Sequence, residues 1–227
     1  MTYPDSTSKF SNSPIPDAYT KGWVPFLDCR ILLDSKPLIP RPETEWWCEK
    51  AIGEICKRAK PRVLDLFSGS GCIGIAVLKH VPDAIVDFGE LDTRHLATIK
   101  KNIGVNITDR SRSRIIQTDV WNAVSDTYDF VLANPPYLTL GRRERIQDSV
   151  IEHEPLTALF ADDDGFALIQ STLQGAPAHL NPGGRAWIEH EPEHTTRVRN
   201  SAQSIGLLAS THRDQYGQER YSVILAV

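Results

Sequence analysis

At 227 residues, with 25 Lys plus Arg against 29 Asp plus Glu, the chain carries a formal net charge of −4. That length suits one α/β domain with an ample core, and the slight acidity counts against a broad nucleic-acid footprint, which needs a basic face. Cys29, Cys48, Cys56 and Cys72 show no C-x-x-C spacing and read as reduced packing residues of a cytoplasmic protein. No apolar run reaches transmembrane length and no signal peptide opens the chain.

Residues 1–18, rich in Ser, Pro and Asp, read as a flexible N-terminal segment. Residues 19–227 then form a single domain: a pre-core arm and helix over 19–60, and the core over 61–227. Trp23, Phe26 and Leu27 begin an apolar arm, and Ile31 to Leu33 reads as a strand. The pattern from Glu43 to Ala59 predicts a helix with Thr44 and Glu45 in its first turn. Five strand–helix units follow, and their alternation implies a mostly parallel sheet. Tyr221 to Ala226 follows Gly217 closely enough to return as a hairpin.

The first core strand, Val63 to Leu66, runs into a glycine-rich turn and a helix start. Gly69, Gly71 and Gly74 fit a nucleotide-type loop, which needs a tight turn, close backbone approach to a ligand and close helix–strand packing. An ordinary strand-to-helix turn also uses glycine. Asp65, just before the loop, makes a dinucleotide less suitable and suits a ligand with a positive amino group. The next strand, Ala84 to Gly89, ends in Glu90, where an acid can accept both ribose hydroxyls of a nucleoside. Asp119 follows Arg114 to Thr118 and, with Val120 and Trp121, could frame an adenine ring. Singly, each acid reads as a solvated strand-end charge; together they mark the carboxyl ends of consecutive strands.

Asn134-Pro135-Pro136-Tyr137 follows the apolar run Tyr128 to Ala133. Each proline fixes φ near −65° and lacks an N–H, so the segment can continue neither a helix nor a central strand. It can hold one side-chain amide and two free carbonyls in place beside an aromatic ring. A flat group carrying an NH₂ could donate to Asn134 and a proline carbonyl and lie against Tyr137. The alternative is a strand-ending turn that contains Asn. Arg142, Arg143 and Arg145, just beyond, form a basic cluster that either meets an acidic or RNA-bound partner or is solvated surface. Further on, His190-Glu191-Pro192-Glu193-His194 matches the H-E-x-x-H zinc pattern, but Pro192 would break the continuous helix that pattern requires. It reads as a strand-to-loop corner with Glu189 or His190 near the rim of the site, and no metal is expected.

With these residues in order, the chain resembles the class I S-adenosylmethionine-dependent methyltransferases, and specifically the HemK/PrmC family. Leu38-Ile39-Pro40-Arg41-Pro42-Glu43-Thr44-Glu45 is similar to the family's pre-core segment, and Glu154-Pro155, Ala158-Leu159 and Asp164-Gly165 to the loop after Asn-Pro-Pro-Tyr. The resemblance implies a Rossmann-like α/β fold with a mostly parallel seven-stranded sheet closed by a C-terminal antiparallel hairpin. It implies N5-methylation of the glutamine in the Gly-Gly-Gln motif of a peptide-chain release factor, with S-adenosylmethionine converted to S-adenosylhomocysteine. Asn134, Pro135, Pro136 and Tyr137 would be catalytic. Phe26, Arg41, Glu43, Thr44, Asp65, Gly69, Gly71, Glu90, Leu91, Asp119, Val120, Trp121 and Asn134 would bind the cofactor, with Phe26 covering it. Release factor is the expected partner, with no membrane and nucleic acid disfavoured. Asn-Pro-Pro-Tyr is shared with adenine-N6 methyltransferases acting on RNA or DNA, which is the alternative. A non-catalytic scaffold is the remaining one. Most family members carry a helical N-terminal domain, for which too few residues precede Arg41. Either the catalytic domain alone recognises the release factor, or this short form acts on another substrate; the loop from Gly141 to Asp164 is then expected to carry most of the recognition.

Overall fold

The computed structural model describes residues 13–139, 141, 144 and 147–226. Residues 1–12, most of the flexible segment expected at the N-terminus, and the cluster Arg142, Arg143 and Arg145 lie outside them. A short helix, α1 (Asp17–Lys21), spans the boundary expected at residue 18 and ends on Gly22 in the left-handed region. The arm is a hairpin of β1 (Trp23–Phe26) and β2 (Cys29–Leu32). Helix α2 (Pro42–Ile55) starts with proline at N1, where no N–H is needed. It ends before Ala59, because the chain passes into tighter turns, Lys57 N–H to Glu54 O and Arg58 N–H to Ile55 O, ahead of Pro61.

The core alternates β3 (Arg62–Leu66), α3 (Cys72–His80), β4 (Ile85–Glu90), α4 (Thr93–Asn106), β5 (Ser113–Gln117) and β6 (Tyr128–Ala133). Helices α5 (Asp148–His153), α6 (Leu156–Leu159) and α7 (Ala167–His179) follow, then β7 (Leu180–Glu189), α8 (Thr195–Ser204), β8 (Leu208–Arg213) and β9 (Glu219–Leu225). Only four of the five expected units carry a helix. Between β5 and β6 the chain takes a turn that the Thr118 hydroxyl closes, accepting from Ala123 N–H at 3.0 Å and donating to Val120 O at 3.0 Å.

The sheet is seven-stranded, in the order β5-β4-β3-β6-β7-β9-β8. Its first five strands are parallel, and β9 runs antiparallel to both β7 and β8, which is the architecture expected. The order reverses between β3 and β6, which pair directly with Leu66 level with Ala133. Crossovers leave these two strands toward opposite sides, so a crevice opens beyond their carboxyl ends. Both of the informative sequence segments begin at that crevice.

Two apolar cores fill the faces of the sheet. One joins α2, α3, α4 and the arm; the other joins α7 and α8. On the first face, a Cβ at Gly74 would lie 2.4 Å from Phe88 Cε1, so α3 sits this close to β4 only because residue 74 is glycine.

The arm is held by two asparagines of α4. Asn102 Oδ1 accepts from Leu32 N–H at 2.7 Å and Asn106 Oδ1 from Arg30 N–H at 2.9 Å, while their amide nitrogens donate to the carbonyls of Leu32 and Arg30. Four helical residues rise about 6 Å and two strand residues about 6.6 Å, so side chains one turn apart can imitate a neighbouring strand. Asn102 is fully buried and also donates to Ser70 O at 2.9 Å, which ties the arm to the glycine loop. Asn102→Ala would leave the Leu32 peptide groups unpaired, at a cost of about 2 kcal/mol or more. A lower urea midpoint and faster proteolysis within residues 23–33 are expected; an unchanged midpoint would refute this role.

Candidate active site

Turns at the ends of β3 and β6 bring the functional segments together. Phe67, a non-glycine residue at φ 63°, bends the chain sharply out of β3 and into the glycine loop. Glu90, at the end of β4, is buried and bonds both neighbouring loops. Its Oε2 accepts from Gly69 N–H at 2.7 Å and its Oε1 from Asp92 N–H at 2.8 Å. Asp65 is fully buried, and its Oδ2 accepts from Gly74 N–H at 2.9 Å. Its Oδ1 is buried with no partner among the described residues. Burial, with the nearby Glu90 carboxylate adding to it, pushes the Asp65 carboxyl well above the usual carboxylate range.

Three concavities meet here, and each is lined by Leu38 and Asn134. The first lies over the ends of β3, β4 and β5 and includes Gly69, Glu90, Leu91, Asp119, Val120 and Pro136. The second lies under the glycine loop and includes Arg41, Thr44 and Phe67 through Ser70. The third opens on the other side of Asn134, between Arg41, Glu43, Pro135, Tyr137, Gln147 and Glu191.

Most of the predicted site residues therefore converge. Asp65 and Gly71 line none of these three. Gly71 starts α3 at φ 79° and packs against Ile75, Ile99 and Phe88, so it shapes the loop from behind. Two of the expected residues lie away from these concavities. Phe26 is 1 % exposed within the core under the arm and lines none of the three concavities, so it forms no cover over them. Trp121 turns away as well: its Nε1 donates to Ser171 O at 3.0 Å, its ring stacks on His179 at 4.6 Å, and it fills the gap left by Gly175 in α7.

The structure adds two residues that the sequence did not single out for this purpose. Glu154 is 5 % exposed; its Oε2 accepts from Ile39 N–H at 3.0 Å and its Oε1 from the Arg41 guanidinium at 2.6 Å. It thereby seats the pre-core segment against the loop after the Asn-Pro-Pro-Tyr turn. Glu189, at the end of β7, is 1 % exposed. It accepts from Thr44 Oγ1 at 2.7 Å, Trp47 Nε1 at 2.6 Å and the Tyr137 hydroxyl at 2.8 Å. Burial pushes the Glu189 carboxyl up, against the pull of those three donors, and burial with the Glu189 carboxylate raises the Tyr137 hydroxyl. Thr44 Oγ1 in turn faces Asn134 Nδ2 at 3.2 Å. The turn itself is clamped from outside, since a Cβ on Gly165 would lie 2.0 Å from Tyr137 O.

His190 and His194 do not share a helical face: the first follows directly on β7 and the second closes a 3-10 turn over Pro192–His194. His190 is fully buried, with Nδ1 2.8 Å from Glu191 O and Nε2 2.8 Å from Ser222 Oγ.

The match to known proteins agrees with this geometry. Residues 52–158 match the family model described as "Methyltransferase small domain". The chain is 35% identical over 213 residues to the release factor glutamine methyltransferase of Bordetella pertussis, covering 91% of this chain and 76% of that one. It is 31% identical over 207 residues to the enzyme of the same name from Lactococcus lactis, covering 90% and 75%. Among solved structures, a 16S rRNA methyltransferase of T. thermophilus, in complex with AdoMet and guanosine, superposes with a TM-score of 0.61 over 90% of this chain and 49% of that one. At 18% identity that likeness shows the fold alone.

The buried histidine makes one pH dependence specific. Burial lowers His190 from 6.5 to about 4, so the unfolded chain binds its proton at a higher pH than the folded one. Stability from this residue is present above pH 6.5 and is lost as the pH falls toward 4, by on the order of 3 kcal/mol. Urea unfolding from pH 7 to 4 should show wild type losing more stability than His190→Gln, and parallel curves would refute it.

Proposed function

The chain belongs to the release factor glutamine methyltransferase family, and from that membership we propose that it methylates the side-chain nitrogen of the glutamine in a release factor's Gly-Gly-Gln motif, in the cytoplasm. The observation that carries this reading is the position of Asn134 where the three concavities meet. A cofactor in the first two and an amide in the third would both touch it. The donor set fits S-adenosylmethionine: Glu90 and Asp119 line the first concavity as acceptors for ribose hydroxyls and adenine, Val120 offers an apolar wall, and Asp65 lies buried behind the glycine loop with Oδ1 unpaired. When bound, S-adenosylmethionine supplies the methyl group as an electrophile on a positively charged sulfur.

The protein's own work is orientation. An amide nitrogen is a poor nucleophile because its lone pair is delocalised into the carbonyl. Asn134 Oδ1 and the Pro135 carbonyl accept its two N–H bonds, hold the nitrogen in one direction and favour the positive charge that develops on it. Pro136 keeps the turn rigid, and Tyr137 packs against the amide plane. The adenine-N6 alternative could use the same turn, but relatives more than 30% identical over about nine-tenths of this chain are glutamine enzymes.

Mass spectrometry of a release factor incubated with the protein and S-adenosylmethionine tests this. One added methyl on the Gly-Gly-Gln glutamine is expected. Asn134→Ala should lose at least ~100-fold in turnover with cofactor affinity largely retained. Glu90→Ala should lose cofactor affinity first, on the order of tenfold or more by calorimetry. Near-normal turnover in Asn134→Ala would remove that residue's role. Cofactor binding without methylation would remove the release factor as substrate.

A further inference from the structure

We infer that Glu189 is a positioning residue for methyl transfer: acting through the Thr44 hydroxyl, it fixes which end of the Asn134 amide faces the concavities. The inference rests on the proposed role of Asn134 as acceptor of the substrate amide. It concerns a residue on a different strand, one place further along the sheet than β6.

The number of protons available fixes the orientation. A carboxylate has only acceptors, and a hydroxyl has one proton. Glu189 Oε2 takes the Thr44 proton at 2.7 Å and the Trp47 N–H at 2.6 Å. With its proton committed, Thr44 Oγ1 can only accept from the group 3.2 Å away on Asn134, so that group must be the NH₂ end. A flipped Asn134 would set two oxygens together with no proton between them. Asn134 Oδ1 is therefore left for the concavities, and among the described residues no protein donor occupies it. The distinction matters chemically. A glutamine side chain brings N–H donors to be oriented, and a flipped Asn134 would meet them with donors of its own.

Glu189 fixes Tyr137 by the same means, because its Oε1 accepts the ring hydroxyl at 2.8 Å. One carboxylate thus sets the orientation of both side chains of the Asn-Pro-Pro-Tyr turn. A buried acid is costly to keep ionised, and here three donors from two elements offset that cost. Packing alone would be served as well by an apolar side chain of similar volume.

The test uses Thr44→Val, which keeps shape and removes the relay; Thr44→Ser, which restores the hydroxyl; and Glu189→Met. Three quantities are read: kcat on release factor, S-adenosylmethionine affinity by calorimetry, and hydrogen exchange of the Asn134 side-chain NH₂ by NMR. Thr44→Val should lower kcat by about 100-fold at saturating cofactor, beyond any change in cofactor affinity, and Thr44→Ser should recover most of that loss. The Asn134 NH₂ should exchange slowly in wild type and Thr44→Ser, and fast in Thr44→Val and Glu189→Met. If Glu189→Met does not fold, the Thr44 pair decides alone. Wild-type kcat in Thr44→Val, or a loss confined to cofactor affinity, overturns the relay. Slow exchange in wild type that Thr44→Val abolishes, with no methylation of release factor by wild type, keeps the relay and overturns the substrate instead.

Discussion

The pairing of β3 with β6 is the constraint on which the rest of the site depends. Leu66 lies level with Ala133 in a parallel ladder, so the next residues of both strands, Phe67 and Asn134, leave the sheet at the same height. They are far apart in sequence. The strand order brings them together because the chain builds β4 and β5 outward on one side before returning to the centre for β6. A glycine loop and a proline turn that would each be unremarkable alone then share one crevice.

Around that crevice the protein spends buried acids to hold loops in place. Glu90 joins the loops after β3 and β4, Glu154 seats the segment before α2, and Glu189 joins α2 to the Asn-Pro-Pro-Tyr turn. An ionised carboxylate in a dry site is tolerable only when its lone pairs are filled, and each of these accepts at least two hydrogen bonds. Asp65 is the exception, with one oxygen unpartnered beside the glycine loop. The asparagines of α4 complete the frame by giving the short hairpin of the arm the edge partner that it lacks.

Legibility followed the range of the interactions. Gly69, Glu90, Asp119, Val120 and Asn134 could be placed from sequence because each sits at the end of its own apolar run, where strand direction alone sends it to the carboxyl edge. The sequence extends α2 too far because Cys56 to Lys60 hold no glycine or proline to mark a stop, while the chain tightens into i→i+3 turns there. A helix was expected after β5, where a single threonine closes a turn instead. Phe26 and Trp121 lie away from the concavities for a different reason. An aromatic side chain next to a site can turn toward the ligand or toward the core, and the larger apolar partner decides. Phe26 lies in the core under the arm, and Trp121 found the space left by Gly175.

The sequence by itself therefore determined the alternation of strands and helices, the glycine loop, the acids at strand ends and the proline-rigid asparagine. All of these are written in local residue chemistry and period. Only the tertiary structure decided that β3 and β6 are neighbours, that Trp121 belongs to α7, and that Glu189 reaches Thr44, Trp47 and Tyr137. Those contacts join residues separated by 50 to 145 positions. No local pattern encodes such a separation, because it is set by how the sheet is ordered and how its faces are packed.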